Sequence, residues 1–243
     1  MVALTLAGLL APLLLTPWRA ADAATTDYIP ELHRWHDAAI ASFLGFLAVG
    51  CLLAAIPRPR QTPLLVQAPL LGFAILAVFT LYPLNAPVLI MMIVSGGLVF
   101  ATYPAPLALL TLRGGERVSR PLLAVALTAT IPLLLDTWTN IRLQQTDVSE
   151  HATHRHWHGI AALTLILIVT GYLVASRRAG WRALGVITGL TYLNLGAAAL
   201  ALPNHDGSWG VTGGYLSLTA GAAFLVVTTL VAFRARTIHP SEA

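Results

Sequence analysis

Long apolar runs alternate with short polar breaks along the chain, and the runs have the length of membrane spans. A helix needs about 20 apolar residues to cross a bilayer. Seven runs approach that length, at about 38–56, 64–82, 87–112, 121–139, 160–176, 183–202 and 211–233. Prolines and glycines punctuate their ends, as in Pro57-Arg58-Pro59 and Arg113-Gly114-Gly115. Lipid offers a bare backbone no hydrogen-bond partner, so runs this long and continuous predict helices. The expected fold is all-α, a polytopic membrane bundle of seven transmembrane helices forming a single integral membrane domain over 1–243.

A further apolar stretch, 2–15, precedes Pro17-Trp18-Arg19 and Ala21-Asp22-Ala23. Residues 1–23 read either as a secretory signal with an Ala-x-Ala cleavage site or as a short eighth helix at the N-terminus. The lack of a positive n-region tips the reading toward a retained helix. Both readings leave residues 20–37 on the same side.

The pattern also hints at a tandem repeat, with halves 24–150 and 151–243. Trp35-His36-Asp37-Ala38-Ala39 aligns with Trp157-His158-Gly159-Ile160-Ala161, Pro83 with Pro203, and Gly96-Gly97 with Gly213-Gly214. Four spans separate the two Trp-His segments, so the halves are expected to run parallel about a pseudo-twofold along the membrane normal. Two interfacial belts of Trp and His are the alternative. Gly185 and Gly189 make a GxxxG, and Gly213, Ser217 and Gly221 a small-xxx-small series, signals for close packing within the bundle or between copies.

Composition narrows the class. The chain is 57% hydrophobic and 10% charged, against about 25% charged in soluble domains. All 14 basic residues are arginine, which excludes a retinal Schiff base and any lysine nucleophile. Cys51 is the sole cysteine, so an intrachain disulfide or Cys-rich metal site is excluded. The net charge of +4 sits in short loops and forms no groove for nucleic acid.

Charge also sets orientation. Arg58, Arg60, Arg113, Arg117, Arg120, Arg177, Arg178, Arg182, Arg234 and Arg236 share one side, which the positive-inside rule assigns to the cytoplasm together with the C-terminus. The opposite, extracytoplasmic side of the cell membrane receives most of the acids and seven of the eight histidines, all but His239.

That histidine-rich face is where chemistry is expected. Glu150, His151, His154, His156 and His158 fall within nine residues. On a continuous helix His151, His154 and His158 share a face, and His154 and His158 alone form an HxxxH pair, a spacing that places two imidazoles on one metal. His205 and Asp206 sit in a neighbouring loop, so His151, His154, His158 and His205 are candidate metal ligands. His36 and His158, equivalent under the repeat, are candidates for bis-imidazole ligation of haem. Taken singly, each histidine also fits a plain interfacial role, and His154 and His156 fit a solvated loop. Asp136 lies deeper than any other ionisable residue, and an intramembrane acid is by default a functional candidate. Its expected partner is Arg142 or a histidine of this face. Asn194 is expected to bond across a helix interface.

Glu31-Leu32-His33-Arg34, entering a helix from the outer side, resembles the Glu-x-x-His-Arg signature of haem A synthase, with His154-Arg155 as the second-half counterpart. That family is an eight-helix tandem repeat with haem-ligating histidines near its outer face. The resemblance implies haem binding by His33 and a catalytic role for Glu31. The family's further histidines have no counterpart in 87–112.

These features support three functional classes. The first is a membrane protein binding haem or a transition metal (zinc or copper) for redox or cofactor-handling chemistry. Its expected partners are the lipid bilayer and a quinone, haem or other lipophilic small molecule. The second is a zinc-dependent hydrolase acting on lipid, similar to alkaline ceramidases in helix number and in its histidines and aspartate. The third is a non-enzymatic metal or proton transporter, a pH-responsive protein, or a structural subunit of a homo-oligomer or larger membrane complex. Composition does not decide whether the protein is an enzyme.

Overall fold

The computed structural model describes residues 30–81, 85–111 and 118–238, of which 30–33, 150 and 236–238 are described in backbone only. The segment 1–23, His239, Pro83 and Gly114-Gly115 lie outside the described residues. Among the described residues every regular element is helical.

Helix α1 (Pro30–Ala41) continues through a π-helical segment, Ser42–Gly50, into α2 (Cys51–Ala55). Then follow α3 (Pro63–Phe79), α4 (Ala86–Thr102), α5 (Arg120–Thr146), the single turn α6 (Glu150–Thr153), α7 (His156–Ala175), α8 (Trp181–Ala201) and α9 (Gly210–Ile238). The starts are written locally. Pro63 opens α3, and the side chains of Asn85 and Ser119 accept hydrogen bonds from the amides of Val88 and Leu122 to cap α4 and α5.

Five segments are long and apolar enough to cross a membrane: Arg34–Ala55, Arg120–Thr146, His156–Ala175, Trp181–Ala201 and Gly210–Ala235. Helices α3 and α4 are apolar but stop at 17 residues each. The run 87–112 is cut because Tyr103 precedes Pro104 and is driven to extended backbone, at φ −72° and ψ 134°. Its remainder folds into a short 3₁₀ turn, Pro106–Leu110.

The closest helix pair is α8 with α9, and small residues make it possible. A Cβ added at Gly221 would stand 2.7 Å from the Gly189 carbonyl oxygen, and one at Gly196 would stand 2.8 Å from that of Gly214. The glycine pattern is thus spent on packing within the chain. Asn194 Nδ2 donates to Ser42 Oγ across 2.8 Å, joining α8 to the π-helical segment as expected.

Large apolar side chains such as Ile93, Leu98, Ile131, Leu135 and Phe233 remain exposed along α4, α5 and α9. An apolar surface of that extent requires lipid or a partner. Polar bonds gather at the two ends of the bundle. At one end Arg178 Nη2 donates to the Thr111 carbonyl (2.6 Å), and the Ser119 amide to Ala175 (2.9 Å). At the other, Trp157 reaches Asp147 and Gln144 Nε2 donates to the Ala152 carbonyl (2.7 Å). Of the described residues, His36, His151, His154, His156, His158 and His205 lie at this second end.

Candidate metal centre

Three imidazoles converge where α1, α6 and α7 meet. His36 comes from α1, His151 from the turn α6, and His156 from the first position of α7. One ring nitrogen from each lies within 4.8 Å of the others. Ring centroids are 4.9 Å apart for His36 and His151, 4.7 Å for His36 and His156, and 5.6 Å for His151 and His156. His36 is 1% exposed and His151 3% exposed, while His156 is half-buried. Among the described residues this is the one group of three metal-binding side chains so placed.

The convergence depends on a break in the helix. Arg155 adopts φ 62° and ψ 33°, the left-handed region that side chains other than glycine rarely occupy. The chain therefore turns between α6 and α7, folding His151 back toward His156. A left-handed non-glycine residue costs on the order of 1 kcal/mol or more, and persists only where its surroundings over-determine it.

Trp157 supplies a wall. Its indole stacks on His151 (5.2 Å, 28°) and stands edge-on to His36 (5.5 Å). Its Nε1 donates to Asp147 Oδ2 across 2.8 Å. Asp147 also accepts a short hydrogen bond from the Ser149 hydroxyl and a 3.0 Å bond from the Ser149 amide. These bonds, the Ser149 hydroxyl foremost, hold the Asp147 carboxyl well below its ordinary value, at about 2. Since the folded value is depressed, the stabilisation is present in full above about pH 4 and is lost as pH falls through about 2. The anchor of Trp157 is thus intact at any physiological pH.

The loop between α8 and α9 roofs the cluster. Gly207 sits at φ +74°, and a Cβ there would lie 2.6 Å from the Trp157 ring and 3.5 Å from His36 Nε2. The next aromatic, Trp209, meets Trp35 edge-on at 5.6 Å and donates from Nε1 to Asp136 Oδ2 at 3.1 Å.

The remaining candidates are dispersed. His158 points elsewhere: its ring stands against Phe79 at 5.5 Å and bonds to the Phe79 backbone. His154 is exposed and stacks on His156 at 5.8 Å. His205 lies half-buried in the roofing loop, outside the group of three. Glu31 and His33 lie on α1, and their side chains, like that of Glu150, are outside the described residues. The Asp136 carboxylate accepts from Trp209 Nε1, where Arg142 or a histidine was expected.

His156 is the residue that helical spacing passes over. A continuous helix over 151–158 would put His151, His154 and His158 on one face. The left-handed turn at Arg155 interrupts that face. With no glycine or proline between 151 and 158, the sequence carries no mark of the break.

A cavity of about 250 Å³ adjoins the cluster, and His156 lines it. One end of the cavity carries Arg155 and His158, and the other is apolar, with Ile40, Leu44 and Met91. The cluster is therefore closed by the Gly207 loop on one side and borders an amphipathic space on another.

Comparison with protein-family models, with curated proteins and with solved structures returns no match to this chain.

The roof makes a specific demand on Gly207. Gly207→Ala is expected to destabilise the protein by about 1–3 kcal/mol, from the strained φ and the clash with Trp157. Gly210, at φ +62° with its added Cβ no closer than 3.6 Å to the Pro203 carbonyl oxygen, is expected to accept asparagine with a much smaller loss. Thermal unfolding of the two variants in detergent checks this, and equal losses contradict the close approach of the loop.

Proposed function

We propose that this chain is an integral membrane protein whose His36, His151 and His156 bind one transition-metal ion, zinc or copper. The convergence of three imidazole nitrogens from three separate elements carries the reading. Imidazole suits both metals. Tetrahedral zinc, with Zn–N near 2.0–2.1 Å, needs nitrogens about 3.3 Å apart. A spread within 4.8 Å reaches that by small rotations of the rings. Burial of His36 and His151 further supports a site built for an ion rather than for water.

The arrangement favours a single ion over a haem. A porphyrin needs a flat slot between two facing imidazoles. The space around His36 is filled by His156, His151 and Trp157 at 4.7, 4.9 and 5.5 Å.

Three protein ligands leave a coordination position open, the pattern of catalytic rather than structural zinc. His156 borders the amphipathic cavity, so a lipophilic substrate with a polar head has a path to that position from the apolar end. A zinc ion held there would supply an activated water for hydrolysis, and a copper ion would supply electron transfer. The chain's own residues hold the ligands in place: Asp147 fixes Trp157, Trp157 backs His151, and the Gly207 loop keeps bulk water from His36.

Helices α3 and α4, though short, complete a seven-span bundle, because the polar ends they connect alternate with those of the longer helices. The Trp35-His36 and Trp157-His158 segments then mark the two halves of a tandem repeat. The positive-inside rule places the metal on the extracytoplasmic face.

Metal analysis of the protein purified from membranes tests the site. About one zinc or copper per chain is expected, lost in His36→Ala and His151→Ala and kept in His205→Ala. Iron with a Soret band would instead favour haem, and metal-free protein would overturn the reading. Orientation is tested by thiol labelling, since Cys51 is buried and silent. Asn204→Cys is expected to react with a membrane-impermeant maleimide on intact cells, and Arg58→Cys only after permeabilisation. The reverse pattern contradicts the assignment.

A further inference from the structure

A second cavity, about 620 Å³, opens between α5 and α9 with Tyr192 of α8 at its back. It lies within the usual size range of small-molecule sites, about 300–1,000 Å³. Its walls are mostly apolar, from Ala129, Pro132 and Leu133 on one side and Leu216 and Ala220 on the other. The metal reading does not use it.

Its polar groups are unevenly distributed. Asp136 is the one charged residue on the lining, and no lining residue is basic. Asp136 lies roughly 15 Å of helix rise before the end of α5, just inside the outer end of the apolar run 121–139. Its Oδ2 accepts from Trp209 Nε1, while Asn140 Nδ2 donates to the Asp136 backbone carbonyl across 2.9 Å. A carboxylate offers about four acceptor positions, so the Trp209 donor leaves it capacity for a ligand in the cavity it lines. Of the lining hydroxyls, Ser217 donates to the Tyr192 carbonyl and Thr219 to that of Tyr215, and Ser208 Oγ accepts from the Gly210 amide. Pro132 has no N–H, so the Thr128 carbonyl lacks its helical donor, and both residues line the cavity. The cavity lining therefore carries one negative charge, an unpaired backbone acceptor and no cation.

We propose that the α5–α9 cavity binds a lipophilic amine, with its apolar chain along Leu133 and Leu216 and its ammonium on the carboxylate of Asp136. An isolated charge at this depth is costly, and a paired one far less so. An ammonium supplies both the opposite charge and N–H donors for the acceptors. A carboxylate or phosphate head would bring a second negative charge to a lining with no cation. Trp209 closes the head of the site, and the cavity accommodates its indole because Gly213 has no side chain: a Cβ there would lie 2.5 Å from Trp209 Cβ.

The test uses the full chain in nanodiscs and chain-labelled nitroxide probes that quench tryptophan fluorescence: labelled octadecylamine, octadecanol and stearic acid. Saturable quenching by the amine is expected, with about tenfold preference over the acid and over the alcohol, as for a desolvated charge pair. Asp136→Asn, which keeps an acceptor for Trp209, is expected to abolish the preference while leaving the helical spectrum and elution profile unchanged. If that variant does not fold, Leu216→Trp, which fills the cavity from an exposed position, is expected to block saturable quenching by the amine. Equal binding of the three probes, tighter binding of acid or alcohol, or an amine preference that survives these substitutions would overturn the proposal. The metal content plays no part in the readout, so this result and the metal result stand separately.

Discussion

Lipid solvates neither backbone amides nor polar side chains, and the placement of everything else follows from that constraint. Among the described residues it keeps the spans helical and sends arginines, histidines and most acids to the two ends of the bundle. It also favours bonded polar groups at depth, as in Asn194 to Ser42, Asp136 to Trp209 and Thr137 to Thr164 at 2.6 Å. The apolar middle is then free to pack by shape alone, most tightly where glycines let α8 and α9 touch backbone to backbone.

At the histidine end, the same chain that must re-enter the bilayer at α7 first makes a left-handed turn at Arg155. That turn is the local strain on which the cluster rests. It is held by neighbours on both sides: Trp157 is locked to Asp147, and the Gly207 loop lies over Trp157 and His36. His36, on α1, is thereby brought against two imidazoles more than 110 positions later in sequence. A site assembled from distant elements with buried ligands has the pre-organisation a metal centre needs.

Much of the fold was legible beforehand, because span length and helix type depend on local composition. The five long helices fall on runs the sequence marks out, and Asn194 bonds across an interface as its depth suggested. The shortening of α4 was written in Tyr103-Pro104 but hidden by an apolar run that continues past it. The site was legible only as a neighbourhood. Which imidazoles meet depends on one backbone angle at Arg155 and on the approach of α1, and neither leaves a trace in residue spacing. Likewise the partner of Asp136 is an indole 73 residues away, invisible to any local pattern.

The most direct measurement is X-ray absorption at the zinc or copper edge of the purified protein. Three imidazole nitrogens at about 2.0 Å with one further light ligand are expected, falling to two imidazoles or to no bound metal in His156→Ala. An unchanged spectrum in that variant, or a first shell without imidazole, would contradict the assignment of His36, His151 and His156 as the metal ligands.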